Sequence, residues 1–383
     1  MIGGGVIGRA CALGLRGAGA AVVVVDPGEH RRQAGWAAGG MLAPLAEAPG
    51  SGAFLELAQT SLALFPGFVA AVEEIAGLEV GLELGGKVLT AFGGTDVEAL
   101  RSRHEWQQRD GHPVEWLDGP TVRALEPAVS PDVVAGLLLR GNGRVDNRRL
   151  VRALRVACRN RGVRERPDRV VRLLHDRGRV RGVGLASGGT LEAPTVVMAA
   201  GAWSGTIEGL PRPLPVRPVR GQMLALGTPL RPLQRVVTSA DAYLIPRETD
   251  DGPVVVVGAT EEEAGFDLEI GEPGQTRLRA GAIRLVPHLT DAPVVERWAG
   301  LRPGSPDGLP ILGPDPEMEG LCYATGHYRN GILLAPVTAE RVTAWWASGD
   351  ATGMDDAVRP ERFGGGAGTA PAPPPESPAP QRG

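Results

Sequence analysis

Apolar and polar positions fall into a readable order from the first residues. A short apolar start, Met1–Ile2, runs straight into "GGGVIG" over 3–8. Residues 9–19 then place small side chains, Ala10, Ala12 and Gly14, where a helix lying close on a sheet needs them. "AAVVVVD" follows and ends at Asp26. A β-branched run without alternation predicts a strand buried on both faces, as in a parallel sheet. Residues 53–77 repeat apolar positions at intervals of three and four, which predicts a helix. Between 82 and 140 the segments shorten, with "GGKVLTAF" and "VAGLLLRG" as examples, and 148–161 predict a basic amphipathic helix. The stretch from "VVRLLHD" to "TVVMAAGAWSG" predicts a β-meander and then a strand over 195–200. Strands are also expected over 216–226, 242–247 and 253–260. "GLCYATGHYRNGILLAPVTAERVTAWWA" predicts a strand, a glycine turn and a helix starting at Ile332–Leu334. From 363 onward Gly, Pro, Ala and Ser dominate, so a disordered tail over 363–383 is expected.

Composition narrows the classes. The 383 residues suffice for one large domain or two ordinary ones. Forty basic against 44 acidic residues, a net charge of −4, give no electrostatic reason to expect nucleic acid or an anionic membrane. No apolar run approaches the ~20 residues of a membrane span, and the start lacks the basic region and apolar core of a signal peptide. Cys11, Cys158 and Cys322 are too widely spaced for a disulfide framework or a zinc site, so a reducing cytoplasm and no metal are expected. With 56 glycines, any one glycine pattern is cheap and order along the chain must carry the weight.

Gly3, Gly5 and Gly8 have the spacing of a dinucleotide-binding turn, and Asp26 ends the next β-run at the distance where an acid meets a ribose. Glycines let backbone approach a diphosphate, and the helix N-terminus behind them offers unpaired N–H groups. The plainer reading is a glycine-rich loop. "VVMAAGAWSG", with Gly201 and Trp203, supplies a second strand-to-glycine turn, which favours FAD over NAD. An ordinary strand-to-helix turn is its alternative. In "GHYRNGILLAP", Gly326 and Gly331 bracket His327, Tyr328 and Arg329, and helix dipoles there can stabilise a reduced flavin. His327 is open as catalytic or structural. In "AGLRPGSPDGLPILG", a loop Arg302 after a strand can grip a carboxylate with two parallel hydrogen bonds, or be a surface arginine.

With "WAAGGMLAPLAE", "VRGQMLAL", "YLIPR" and "VVVGATEEEAGFD", these motifs make residues 1 to about 345 resemble the FAD-dependent D-amino-acid and sarcosine oxidases. Within them, the glycine oxidases of the thiamine-biosynthesis type are the nearest pattern. The resemblance implies an α/β fold. A Rossmann-like FAD-binding domain with a parallel sheet and β-meander would take 1–80, 140–215 and 293–362. An interleaved α+β substrate domain with an antiparallel sheet would take 81–139 and 216–292. It implies that Arg302 and Tyr243 hold the substrate carboxylate and that Arg329 shapes the pocket. It implies noncovalent FAD against Gly3, Gly5, Val6, Ile7, Gly8, Asp26, Ala38, Gly40 and Met41. The remaining implied contacts are Val170, Gly201, Trp203, His327, Arg329, Asn330, Gly331, Ile332 and Leu333. Asp26 stands where Glu is usual and Gly35 where Ser is frequent. The activity implied is oxidation of glycine, or of sarcosine or small D-amino acids, with O2 as acceptor. Hand-off to a thiazole synthase and a homo-oligomer, a tetramer by family habit, are implied as well.

No Ser/His/Asp or paired-carboxylate constellation stands out, which suits hydride transfer without a protein base. An NAD dehydrogenase and an inactive FAD-binding paralogue are the readings from other classes. The first strand of such a sheet is expected at its centre. Only Met1–Ile2 precede the turn, where about five residues are typical, so either the start lies several codons upstream or the central strand is weakened.

Overall fold

The computed structural model describes residues 1–28, 33–349, 351–352, 354 and 356–363. The tail expected to be disordered lies, after Phe363, outside the described residues. The chain divides into two compact units: Met1–His30, Leu154–Val219 and Arg302–Gly383 in the first, Arg31–Ala153 and Arg220–Leu301 in the second.

The first unit is built on a mixed sheet with a parallel core. Val23–Val25 pairs in parallel with Arg164–Arg166, and Val196–Met198 pairs in parallel with Leu321–Thr325. Ile2 joins these pairs through parallel bridges to Val25 and Met198. The antiparallel strand Ile311–Pro314 completes the far side. The first strand is therefore central, as expected, but a single bridging residue. Ile2 donates its N–H to Val197 at 2.9 Å, and its carbonyl accepts from Ala199 at 2.9 Å. Its side chain is 4% exposed, in one core with Val25, Val170, Met198 and Tyr323.

The helix Val6–Gly17 starts earlier than residue 9, because Gly5 already accepts from the Arg9 N–H. It lies close against the helix Ala335–Ser348: a Cβ at Gly14 would sit 2.5 Å from Thr343 Oγ1. The expected meander is present as Val170–Asp176, Arg179–Leu185 and Thr190–Glu192, all antiparallel.

The second unit holds most of an eight-stranded sheet. Its order is Val294–Gly304, Arg217–Gly227, Gly252–Gly258, Tyr243–Thr249, Val236–Thr238, Lys87–Ala91, Ala135–Leu139 and Val114–Asp118. Val236–Thr238 runs parallel to Lys87–Ala91, and the pairs around it are antiparallel. Side chains alternate between two buried faces. Leu224, Leu244, Val255 and Val257 pack on one with Leu278, Ala282 and Leu285 of the helix Glu272–Leu285. Met223, Ala225, Ile245, Val254 and Val256 pack on the other with Ala37 and Trp298. Burial on both faces explains why these strands read as continuous apolar runs.

The helix Ala53–Ala76 buries Leu55, Ala58, Ser61, Phe65, Val69 and Val72, one stripe at intervals of three and four. By length and composition alone it is apolar enough to cross a membrane, which differs from the expectation that no segment approaches a span; the buried stripe is equally that of a core helix. The helices Gly94–Arg109 and Glu272–Leu285 had no clear apolar signature: the former buries only Leu100 and Gln107.

Candidate functional site

Three neighbouring strand positions of the first unit, Ile2, Val196–Met198 and Leu321–Thr325, each end in a glycine turn on the same edge of the sheet. The carboxyl edge of a parallel sheet is where such folds bind nucleotides. Gly3 has φ +96°, and a Cβ there would run into the Ala199 carbonyl oxygen. A Cβ on Gly8 would run into the Gly3 carbonyl oxygen, so both positions demand glycine. Gly5 differs: nothing lies within 4 Å of where its Cβ would point. It caps the helix Val6–Gly17 without a side-chain hydrogen bond, and no acid sits in the first turn. The first-turn N–H groups of this helix have no intrahelical acceptor and carry the positive end of the helix dipole, the kind of donor set a diphosphate requires.

Asp26 and Arg9 hold this turn in place. Asp26 accepts from the Gly4 N–H at 2.7 Å and the Gly28 N–H at 2.8 Å. Arg9, 6% exposed, donates to the Gly4 carbonyl at 2.7 Å and to Glu165 at 2.6 Å. Burial works to raise the Glu165 carboxyl, but the Arg9 hydrogen bond and charge outweigh it and hold its pKa below the usual value. Val170 opens the meander and is buried in the core with Ile2 and Val25.

The other two turns are tied together. Ser204 and Thr325 hydroxyls meet at 2.6 Å, and Thr325 reaches the Gly201 carbonyl at 3.4 Å. Gly201 has φ +56°, and Trp203 is half-buried in the short 3-10 turn that follows. His327 is 2% exposed with Nε2 3.0 Å from the Thr338 hydroxyl, and burial lowers its pKa to about 3. Burial therefore favours the neutral ring, held on the Thr338 hydroxyl. Arg329 is exposed, Asn330 and Gly331 are intermediate, and Ile332 and Leu333 are buried.

Two expectations need correction. The helix after this turn begins at Ala335, not at Ile332–Leu334. Pro336 has no N–H to give the Ile332 carbonyl, which instead takes the Ala335 N–H at 3.3 Å, so 331–334 remain turn. Arg302 is not in a loop. It lies inside the strand Val294–Gly304, which is at the sheet edge and so tolerates Pro303. The Pro303 carbonyl accepts from the Tyr328 N–H at 3.0 Å, bringing the Arg302 strand to the turn that carries Arg329.

The second unit brings Tyr243 to the Ala38–Met41 segment. The Tyr243 hydroxyl is 3.1 Å from Met223 Sδ, and its ring faces Gly39, where a Cβ would lie 3.4 Å from Cε2. Tyr243 and Met41 border the same core. Gly40, at φ +80°, leaves no room for a Cβ against the Val145 carbonyl. Ala38 is half-buried, and Gly35, buried, accepts through its carbonyl from Asn147 at 2.8 Å.

Sequence reasoning missed Arg9, Lys87, Asn147, Arg247 and Trp298. Lys87 is the one lysine in a chain otherwise cationic through arginine, is 2% exposed, and places Nζ 3.5 Å from Met41 Sδ. That solitary lysine was the available signal. The three thiols are buried, and burial pushes Cys11 and Cys158 up to about 12 and Cys322 up as well.

Known proteins share this architecture. Glycine oxidase of Pseudomonas putida is 36% identical over 347 residues, covering 90% of this chain and 92% of its own length. The bifunctional protein ThiO/ThiG of Nostoc sp. is 38% identical over 345 residues, which are 88% of this chain and 51% of the relative. The chain thus spans about half the length of that relative. The crystal structure of glycine oxidase from Geobacillus kaustophilus is similar with a TM-score of 0.86 at 31% identity, covering 92% of this chain and 95% of that one. Residues 1–345 match the model of the DAO family, described as FAD dependent oxidoreductase, and the chain belongs to that family.

Proposed function

We propose that this chain oxidises glycine, with FAD as cofactor and O2 as electron acceptor, to an imine that hydrolyses to glyoxylate and ammonia. FAD bound there would supply the hydride acceptor for the substrate carbon and the route by which the electrons reach O2 as hydrogen peroxide. One observation carries the reading: three glycine turns crowd the carboxyl ends of neighbouring strands, with Gly5 open where a diphosphate must approach. In the FAD-binding part, proposed as 1–80, 140–215 and 293–362, the cradle is Gly3, Gly5, Val6, Ile7 and Gly8. Asp26 and Val170 serve the adenosine end. Ala38, Gly40, Met41, Gly201, Trp203 and His327 through Leu333 serve the flavin end.

In the substrate part, proposed as 81–139 and 216–292, Tyr243 donates its phenolic hydrogen to the carboxylate. Arg302 pairs with that carboxylate and orients the Cα–H, and Arg329 shapes the pocket. A neutral His327 leaves no base to be assigned there, which suits a step that needs only a neutral amine and correct aim. The imine is proposed to serve the thiazole branch of thiamine biosynthesis, with hand-off to a thiazole synthase, in a cytoplasmic homo-oligomer. Sarcosine and small D-amino acids are the alternative substrates. Peroxide release from the purified yellow protein decides: glycine is expected to exceed sarcosine and D-alanine, and activity on neither glycine nor the other two would overturn the proposal.

A further inference from the structure

The backbone that carries Ala38, Gly40 and Met41 is held by side chains from distant parts of the second unit. The short helix Ala34–Ala37 ends just before it, and carbonyls at a helix end lack intrahelical partners. Asn147, fully buried, gives both amide hydrogens to this end: Nδ2 donates to Gly35 O at 2.8 Å and to Trp36 O at 2.9 Å. Trp298 Nε1 donates to Ala37 O at 2.9 Å. Arg247 Nη2 donates to Gly39 O at 3.3 Å and to Asn147 Oδ1 at 2.7 Å. Its Nε lies 3.8 Å from Asp146, which caps the helix Asn147–Asn160 through the Arg148 and Arg149 N–H groups.

The amide of Asn147 can face only one way. Flipped, its oxygen would meet two carbonyl oxygens and its nitrogen would meet a guanidinium. Every hydrogen-bonding group of Asn147's side chain is thereby spent on the clamp. Arg247 also lies on the strand Tyr243–Thr249, four residues from Tyr243, so both side chains leave the same face of that strand.

We infer that Asn147 and Arg247 are positioning residues that lock the Ala38–Met41 backbone for the flavin and couple it to the strand bearing Tyr243. This rests on the reading that Ala38, Gly40 and Met41 serve the flavin. Neither residue need touch cofactor or substrate. Lys at 247 keeps the charge but offers one nitrogen, where the guanidinium serves Gly39 O and Asn147 Oδ1 through Nη2 and faces Asp146 through Nε. Asp at 147 keeps the shape and the Arg247 contact but sets a carboxylate oxygen against the Gly35 and Trp36 carbonyls.

The test measures FAD binding to the apoprotein, the visible circular dichroism of bound flavin, and kcat and KM for glycine in Arg247→Lys and Asn147→Asp. The expected result is FAD affinity weakened about tenfold or more in each, the equivalent of one or two lost hydrogen bonds, with an altered flavin spectrum and kcat falling more than KM rises. FAD affinity and spectrum within about twofold of wild type, with only the melting temperature lowered, would assign both residues to simple scaffolding and overturn the inference. If Arg247→Lys does not fold, Asn147→Asp decides alone. If wild type oxidises none of glycine, sarcosine and D-alanine, the substrate reading fails, but the FAD readouts still judge the clamp.

Discussion

Gly5→Ala separates the cofactor cradle from the fold. Nothing lies within 4 Å of the added methyl, and Gly5 has φ −72° and ψ −172°, an ordinary extended conformation for alanine. The apoprotein should therefore tolerate the change, or gain ~0.4–1 kcal/mol from the less flexible unfolded chain. In the proposed cradle the same methyl fills the open space at Gly5 through which a diphosphate oxygen would reach the first-turn N–H groups. Losing one such hydrogen bond to a charged group is worth ~1.5–3 kcal/mol, which is about one to two decades of affinity. Thermal melting of the apoprotein and an FAD titration followed by flavin fluorescence measure the two effects separately. Gly8→Ala is the contrast: its methyl meets the Gly3 carbonyl oxygen, so that apoprotein should melt lower. Wild-type FAD affinity in Gly5→Ala would refute the placement of the diphosphate. A large drop in its apoprotein melting temperature would refute the open space.

Other expectations follow the same geometry. Arg302→Ala should raise KM for glycine by about one to two decades, from loss of a charged hydrogen-bonded pair, with FAD binding intact; steady-state kinetics with unchanged KM would remove Arg302 from the substrate site. Tyr243→Phe should lower kcat/KM by about tenfold while leaving the FAD dissociation constant as in wild type, and equal kinetics would show that the phenol makes no substrate contact. His327 is held neutral, its pKa lowered to about 3 by burial, so the unfolded chain binds the extra proton between about 3 and 6.5. Stability from this group is present above 6.5 and is lost as pH falls toward 3, so melting temperatures over that window should fall more steeply for wild type than for His327→Gln. Parallel curves would mean that His327 is not buried neutral.

Much of the first unit was legible because its signals are local. Gly3, Gly5, Gly8 and the run ending at Asp26 lie within one βα unit, where Gly3 and Gly8 leave no room for a Cβ and Gly5 borders open space. The central place of Ile2 also followed from that pattern. Arg302 was misjudged because Pro303 and Gly304 look like loop residues, and only the sheet order shows that an edge strand accommodates them. Likewise, Pro336 delays the helix by removing one donor, which the apolar pattern of Ile332–Leu334 does not register. The helix Gly94–Arg109 was missed because it buries so little. The clamp around Ala38–Met41 was invisible for another reason. Asn147 meets Gly35 across 112 positions and Trp298 meets Ala37 across 261, so no window along the chain contains both partners.

The most direct measurement is anaerobic addition of glycine to the FAD-loaded protein, followed by absorbance of the oxidised flavin. Bleaching by one equivalent of glycine, with one equivalent of glyoxylate recovered and colour and peroxide returning on admission of air, is the expected result. A flavin that stays oxidised in saturating glycine, in protein that has bound FAD stoichiometrically, would contradict the account.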